Sequence, residues 1–294
     1  MSEVKKINFR IHRGFSESIS ATFDFVKLNY KMMWKILVRI PGIILVISVL
    51  LLIFSSFSSY SNLMQVQQSQ GQNITNMQTP NYGIMTLGIV LFMLASFLFT
   101  ISINEFIVLY VNKKNPEDIT VIEIFKNVKK RFWSYFGGGI LVGLMVISGM
   151  IILLIPGIYL AVATMYVFII ISEEGKGVGD AISRSFKVVS GYWWTSFGYI
   201  IVIGFLVMAI TYIIQIPTIS ISTYFLISDT ESTIGAIIYG ITSGLSYIIY
   251  IAISSLTIIA ISIYYYSIVE AKEQIGLKLK IEEMDASTEE AVSE

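Results

Sequence analysis

Three sets of residues in this 294-residue chain have types and spacing that could serve chemistry. The first is Gly177-Val178-Gly179-Asp180, the GxGD string of membrane-embedded aspartyl proteases. Such a site needs its Asp inside a membrane segment, facing a second carboxylate with which it shares a proton. Here Asp180 opens a basic amphipathic stretch, and the long apolar runs contain no Asp. Its expected role is to cap a helix N-terminus. The second set is charge at membrane depth: Arg39, Glu105 and Glu270. Charge there is costly and often functional. Two readings stand. The side chains snorkel to the interface, or Glu105 and Arg39, at similar depth in adjacent runs, pair and lock those runs together. The third set is basic: Lys126, Lys129, Lys130 and Arg131, then Arg184 and Lys187. Cations so placed suit anionic lipid headgroups or a membrane partner. The positive-inside bias alone yields the same distribution.

Other chemistries are disfavoured by what the chain lacks. It has no cysteine, hence no disulfide, thiolate ligand or cysteine nucleophile. One histidine cannot build a multi-histidine metal centre. That residue lies in His12-Arg13-Gly14, a string shared with glycerophosphodiester phosphodiesterases. Their catalysis needs a further histidine, acidic metal ligands and a barrel, and this sequence has no other histidine and no room for a barrel. The chain reads as non-enzymatic, with no cofactor, no metal and no nucleic-acid partner.

The elements that must hold these residues are membrane helices. The chain is 55% hydrophobic and only 14% charged, against about 25% charged in a soluble domain. Apolar runs long enough to span a bilayer lie at residues 36–57, 83–111, 135–155, 158–172, 195–216 and 236–269. The fourth is short. Ile155-Pro156-Gly157 reads as a tight turn before it, and Pro217 as the end of the fifth. The fold class is all-α: a polytopic membrane protein of six transmembrane helices, with about three interfacial amphipathic helices. Residues 1–35 form an N-terminal segment carrying the first such helix, 36–269 the membrane domain, and 270–294 an acidic tail. All 20 Lys and Arg fall before residue 40, in 112–133, in 173–194 or in the tail. None falls in 58–82, 155–157 or 218–235. The positive-inside rule then puts both termini in the cytoplasm. The first 35 residues lack the short apolar core of a cleavable signal. The polar 58–82 loop contains the sequon Asn73-Ile74-Thr75.

The amphipathic stretches share a register. Ile19, Val121 and Ile182 align, as do Phe23, Phe125 and Phe186, then Val26, Val128 and Val189. Tyr30, Phe132 and Trp193 follow, then Trp34, Phe136 and Phe197. Three parallel units, each a surface helix and two spans, would give this pattern. So would any basic helix placed before a span. Ser16 and the Thr120/Glu123 pair are expected caps. Gly139 and Gly143, and Ala236, Gly240 and Gly244, suit close helix packing. Tyr264, Tyr265 and Tyr266, with Trp133, Trp193 and Trp194, read as an aromatic belt at the cytoplasmic interface.

One stretch carries a resemblance. Pro156-Gly157, Glu174-Gly175, Ala181, Ser185, Gly191 and Trp194 fall in a pattern of Pro-Gly turn, span, Glu-Gly turn, Ala-x-x-x-Ser and Gly-x-x-Trp. In these residues the chain resembles the membrane domain fused to some bacterial glycerophosphoryl diester phosphodiesterases, and the stand-alone six-span relatives of that domain. The resemblance implies six spans in a bacterial inner membrane, and it carries no activity. The function expected is contact with anionic lipid or a membrane partner, a second copy of the chain included, through Lys126, Lys129, Lys130, Arg131, Arg184 and Lys187. The alternative is a small-molecule or lipid transporter or channel. Its path would be lined by Thr100, Ser102, Asn104, Thr164 and the Ser and Thr of the last span.

Overall fold

The computed structural model describes residues 6–68, 82–227, 233–274 and 281. The sequon and the greater part of the acidic tail lie outside the described residues. The chain is an all-α multipass membrane protein. Among the described residues the helices are α1 (Phe15–Arg39), α2 (Gly42–Gln68), α3 (Tyr82–Asn112), α4 (Val121–Ile152), α5 (Leu154–Ala163), α6 (Val167–Glu173), α7 (Val178–Val189), α8 (Trp193–Ile227) and α9 (Thr233–Glu273). Among the described residues, five stretches are long and apolar enough to span a membrane: α3, α4, α5 with α6, α8 and α9. The bent pair of α1 and α2 passes the same test when taken together, which gives up to six.

The breaks between helices follow from particular residues. Pro41-Gly42 stops α1, and the axis turns by 72° into α2. The helix after the bend therefore starts at Gly42, and α1 runs across the expected boundary at residue 36. Between Val121 and Phe136 there is no Pro or Gly, so the second amphipathic stretch continues straight into its span as one 32-residue helix. The separate surface helix expected at 112–133 is thus absent. The third, α7, is separate. It ends before Gly191, whose φ of +81° only glycine adopts readily. Pro217 lies inside α8 rather than ending it.

The turn expected at Ile155-Pro156-Gly157 is corrected to a single extended residue, Leu153. Pro156 sits in the first turn of α5, where its missing N–H costs nothing. Gly157 then lies against Met150 and Gly149, and a Cβ there would meet Met150 Cγ at 2.2 Å. Those two glycines, not Gly139 and Gly143, hold α4 and α5 together; Gly143 has open space beside it. Five consecutive residues at this tip, Ile151, Ile152, Leu153, Leu154 and Ile155, are between 65% and 80% exposed.

The structure divides into two compact units. The first contains Met1–Lys31, Ile101–Gly204 and Leu256–Glu294, and the second Met32–Thr100 and Phe205–Ser255. In the first, Phe9, Phe25, Phe106 and Tyr110 form an aromatic core with mostly edge-on contacts. In the second, Gly240 and Gly244 of α9 admit Ile53 of α2, the close packing expected of small residues.

The aligned register reappears in burial, shifted by one place. Thr22, Ile124 and Ser185 are buried, as are Met33, Tyr135 and Ser196, and Ile36, Gly138 and Tyr199. The aromatic columns read from sequence lie beside these, and Phe23, Phe125, Trp34 and Phe136 are exposed. A helix at a membrane surface has two apolar sides, one for the protein and one for lipid. Periodicity alone does not distinguish them.

Candidate functional site

The first unit gathers Glu105, Arg131, Glu174 and Arg184. At its centre is Glu105 of α3, with a side chain 0% exposed. An unpaired carboxylate there would be untenable, and two neighbouring helices satisfy it. Arg131 of α4 donates to both of its oxygens at 3.0 and 3.1 Å. The Ser172 hydroxyl of α6 donates at 2.7 Å. Arg131 also donates to the Ser172 carbonyl, and the Tyr135 hydroxyl bonds that of Ser172. Arg131 and Tyr135 stand one turn apart on α4, so a single face of that helix meets the carboxylate.

A second network lies at the end of α6. Glu174 accepts from Arg184 of α7 at 2.8 Å, from Lys176 at 2.6 Å and from the Tyr265 hydroxyl of α9 at 2.8 Å. Arg184 also reaches Glu273 at 2.6 Å. Arg10 bonds Glu173 at 3.1 Å and Asn112 at 2.7 Å. Lys272 donates to the last carbonyls of α7, those of Lys187 and Ser190. Burial pushes the Glu174 carboxyl up, but the hydrogen bonds from Lys176, Arg184 and Tyr265 outweigh it and hold the group below its ordinary range. The Arg184 guanidinium is raised by its bond to Glu273, against burial. A cavity of about 310 Å³ lies among these side chains.

The motif residues serve the same construction. Gly175 follows Glu174 with φ +62°, which turns the chain back into α7. Ala181 is fully buried. The Ser185 hydroxyl donates at 2.7 Å to the Ala163 carbonyl, beside the break between α5 and α6. A broken helix at membrane depth must have its freed backbone groups satisfied, and this bond does so. Phe9, Arg13 and Ser267 explain the His12-Arg13-Gly14 string. The Arg13 N–H donates to the Ser267 hydroxyl, which donates back to the Arg13 carbonyl, docking the N-terminal segment on α9.

The basic residues divide into two classes. Arg131 and Arg184, expected to face lipid, are engaged by Glu105, Glu174 and Glu273. Lys126, Lys129, Lys130 and Lys187 are exposed. On α4, Val121, Ile124, Val128 and Tyr135 face the protein. The opposite side presents Ile122, Phe125 and Trp133 among Lys126, Lys129 and Lys130. Lys129 lies over the Phe125 ring at 5.1 Å.

Several expectations are corrected. Glu105 pairs with Arg131, not Arg39, which is exposed. Depth along a span does not specify which way a helix turns its side chain. Glu270 borders the 310 Å³ cavity. Asp180 is an exposed first-turn residue of α7, whose N-cap is Gly177 with no side-chain bond; a carboxylate there still suits the helix dipole. The cap at Thr120 forms, accepting from Glu123 N–H, while the Glu123 carboxylate takes Lys113 at 2.6 Å. At the start of α1, Glu17 rather than Ser16 accepts an N–H, that of Gly14. The candidate path residues include Ser102, Asn104 and Thr164, all buried. The Thr100, Thr164, Ser255 and Ser262 hydroxyls donate to carbonyls of their own helices. Among the described residues no three side chains of His, Cys, Asp or Glu converge as metal ligands would.

Nothing in the sequence signalled Ser172 as a partner of Glu105, or Tyr135 as a partner of Ser172, because the three lie on separate helices. The Glu173-Glu174 pair before Gly175 was the nearest signal of the second network. Residues 122–267 match a family described as a domain of unknown function, DUF7847. No curated protein and no solved structure matches the chain.

Proposed function

We propose that this is a non-enzymatic protein of a bacterial inner membrane, with both termini in the cytoplasm, that holds anionic lipid against the outward face of α4. The observation that carries the reading is the interleaving of Lys126, Lys129 and Lys130 with Ile122, Phe125 and Trp133 on one exposed helical face. Aromatic and aliphatic side chains at that level enter the acyl boundary, and lysines beside them meet headgroup phosphates. Because α4 continues unbroken into its span, the depth of this face is fixed. Each lysine near an anionic leaflet contributes about 1 kcal/mol. Three give roughly 3 kcal/mol, or on the order of a hundredfold preference. The non-enzymatic reading is supported by the state of the charged groups. Glu105 is paired with Arg131, and Glu174 with Arg184. The resemblance to phosphodiesterase membrane domains supports the bacterial assignment.

The test uses full-length protein in nanodiscs of equal phosphatidylcholine and phosphatidylglycerol, with native mass spectrometry of the lipid retained on release. Phosphatidylglycerol should be retained preferentially. The Lys126→Gln, Lys129→Gln, Lys130→Gln triple variant should lose that preference, while Lys187→Gln reports the smaller share of α7. Equal retention of the two lipids by the wild type would overturn the proposal.

A further inference from the structure

A cavity of about 390 Å³ lies within the second unit, among α3, α8 and α9. Its volume is in the range of small-molecule sites, about 300–1,000 Å³. Tyr239, Ser243, Ser246 and Tyr250 recur at i, i+4, i+7 and i+11 along α9 and so share one face. Gln215 and Thr218 of α8 complete the polar part of the wall. Among the described residues lining it, none is acidic, basic or a histidine.

The hydrogen bonds define what this wall offers. Ser243 donates its hydroxyl proton to the Tyr239 carbonyl at 2.7 Å, and Ser246 donates to the Thr242 carbonyl at 2.9 Å. Thr218 and Ser246 are also bonded, at 3.1 Å. With their protons turned to the backbone, the serine oxygens can only accept from a ligand. Gln215 offers both donors and an acceptor. The Phe92 and Tyr247 rings, with centroids 5.5 Å apart, add an apolar aromatic corner. A charged ligand would be desolvated here without a counter-ion, and a plain hydrocarbon would make no use of the accepting oxygens or the Gln215 amide. A ligand with its own O–H donors and C–H faces fits both parts. Polar packing between helices accounts for the Thr218–Ser246 bond but not for the empty volume. The wall is also held in place, since Gly240 and Gly244 seat α9 against Ile53 of α2.

We propose that this cavity binds an uncharged polyhydroxyl group of sugar type, carried by a glycolipid or free in solution. The experiment uses the full chain in nanodiscs. Retention of diglucosyl-diacylglycerol is compared with that of diacylglycerol, and maltose is titrated as the free form. The glycolipid should be retained over diacylglycerol. Gln215→Leu combined with Ser246→Ala should weaken retention about tenfold, the effect of losing roughly one to two hydrogen bonds. Tyr250→Phe, which keeps the ring, should weaken it several-fold and carries the test if the double variant does not fold. Displacement of the glycolipid by maltose identifies a soluble sugar as a sufficient ligand, and failure to displace identifies the lipid-borne form. Either result supports the site. Equal retention of the two lipids together with no maltose binding overturns it. So does unaltered binding in variants that melt at the wild-type temperature.

Discussion

Replacing Glu105 by Gln removes the charge that Arg131 faces while keeping the size of the side chain. Removing one partner of a buried pair costs about 3–5 kcal/mol, chiefly because the other charge is stranded. Here the stranded group would be Arg131, whose side chain is 26% exposed and keeps its bond to the Ser172 carbonyl. Water can reach it, so the cost falls near the lower end, about 3 kcal/mol. For a chain this long that is a fall in Tm of roughly 6–12 °C, at about 2–4 °C per kcal/mol. Arg131→Met strands the carboxylate instead, at 0% exposure, and should cost more, about 4–5 kcal/mol. The double variant leaves no unpaired charge and should sit well above the sum of the singles, by about 2–3 kcal/mol. Tryptophan fluorescence during heating in detergent reads all three. A Glu105→Gln protein melting within experimental error of wild type refutes the argument, as does strict additivity of the two changes. Arg39→Gln should leave Tm unchanged.

Three further outcomes are expected. Glu174 has a folded carboxyl held below its unfolded value of about 4.5, so its share of stability is full above pH 4.5 and is lost as pH falls through the lower folded value. Tm measured from pH 7 to pH 3 should drop on the acid side, and Glu174→Gln should flatten that drop; an unchanged acid limb counts against the network. Gly157→Ala places a methyl on Met150 and should destabilise by at least about 1–3 kcal/mol, whereas Gly143→Ala, beside open space, should be tolerated; equal expression and melting of the two would contradict the tight crossing. A cysteine at Leu153 in this cysteine-free chain should resist a membrane-impermeant maleimide from both sides, while one at Asn115 should label from the basic side only. Labelling of Leu153 would show that the tip reaches water.

Spans were legible because they depend on composition along the chain. The α3 limits, Tyr82–Asn112, fall within a residue of the apolar run that marks them. Charge sorting was legible for the same reason. The partner of Glu105 was not, since it depends on how α3, α4 and α6 are rotated about their axes, and three apolar helices carry little periodic signal of rotation. The same ambiguity explains why Phe23 and Phe125, which look like core positions, face outward while Thr22 and Ile124 face in. The residues of the family-like pattern were legible as a pattern before they had a reason. The structure supplies one for several of them: Gly157 for close approach, Gly175 and Gly191 for positive φ, Ser185 for the carbonyl beside a broken span. The exposed lysines could be separated from the engaged arginines only once their neighbours were known.

The one-residue link at Leu153 also bears on how the protein is made. A polar loop joining two spans has to be carried through hydrocarbon before the spans can settle. The α4–α5 hairpin has no such load. Its leading end is Ile151 through Ile155, and Pro156 removes one of the backbone donors that would resist entry. The remaining link is partly closed by the bonds from Leu153 N–H to the Gly149 carbonyl and from Gly157 N–H to the Leu153 carbonyl. The hairpin therefore presents lipid with a tip of five apolar side chains, backed by the close Gly149–Gly157 crossing. For these two helices, placement in a bilayer calls on hydrophobicity and packing, and no polar side chain at the tip has to cross hydrocarbon.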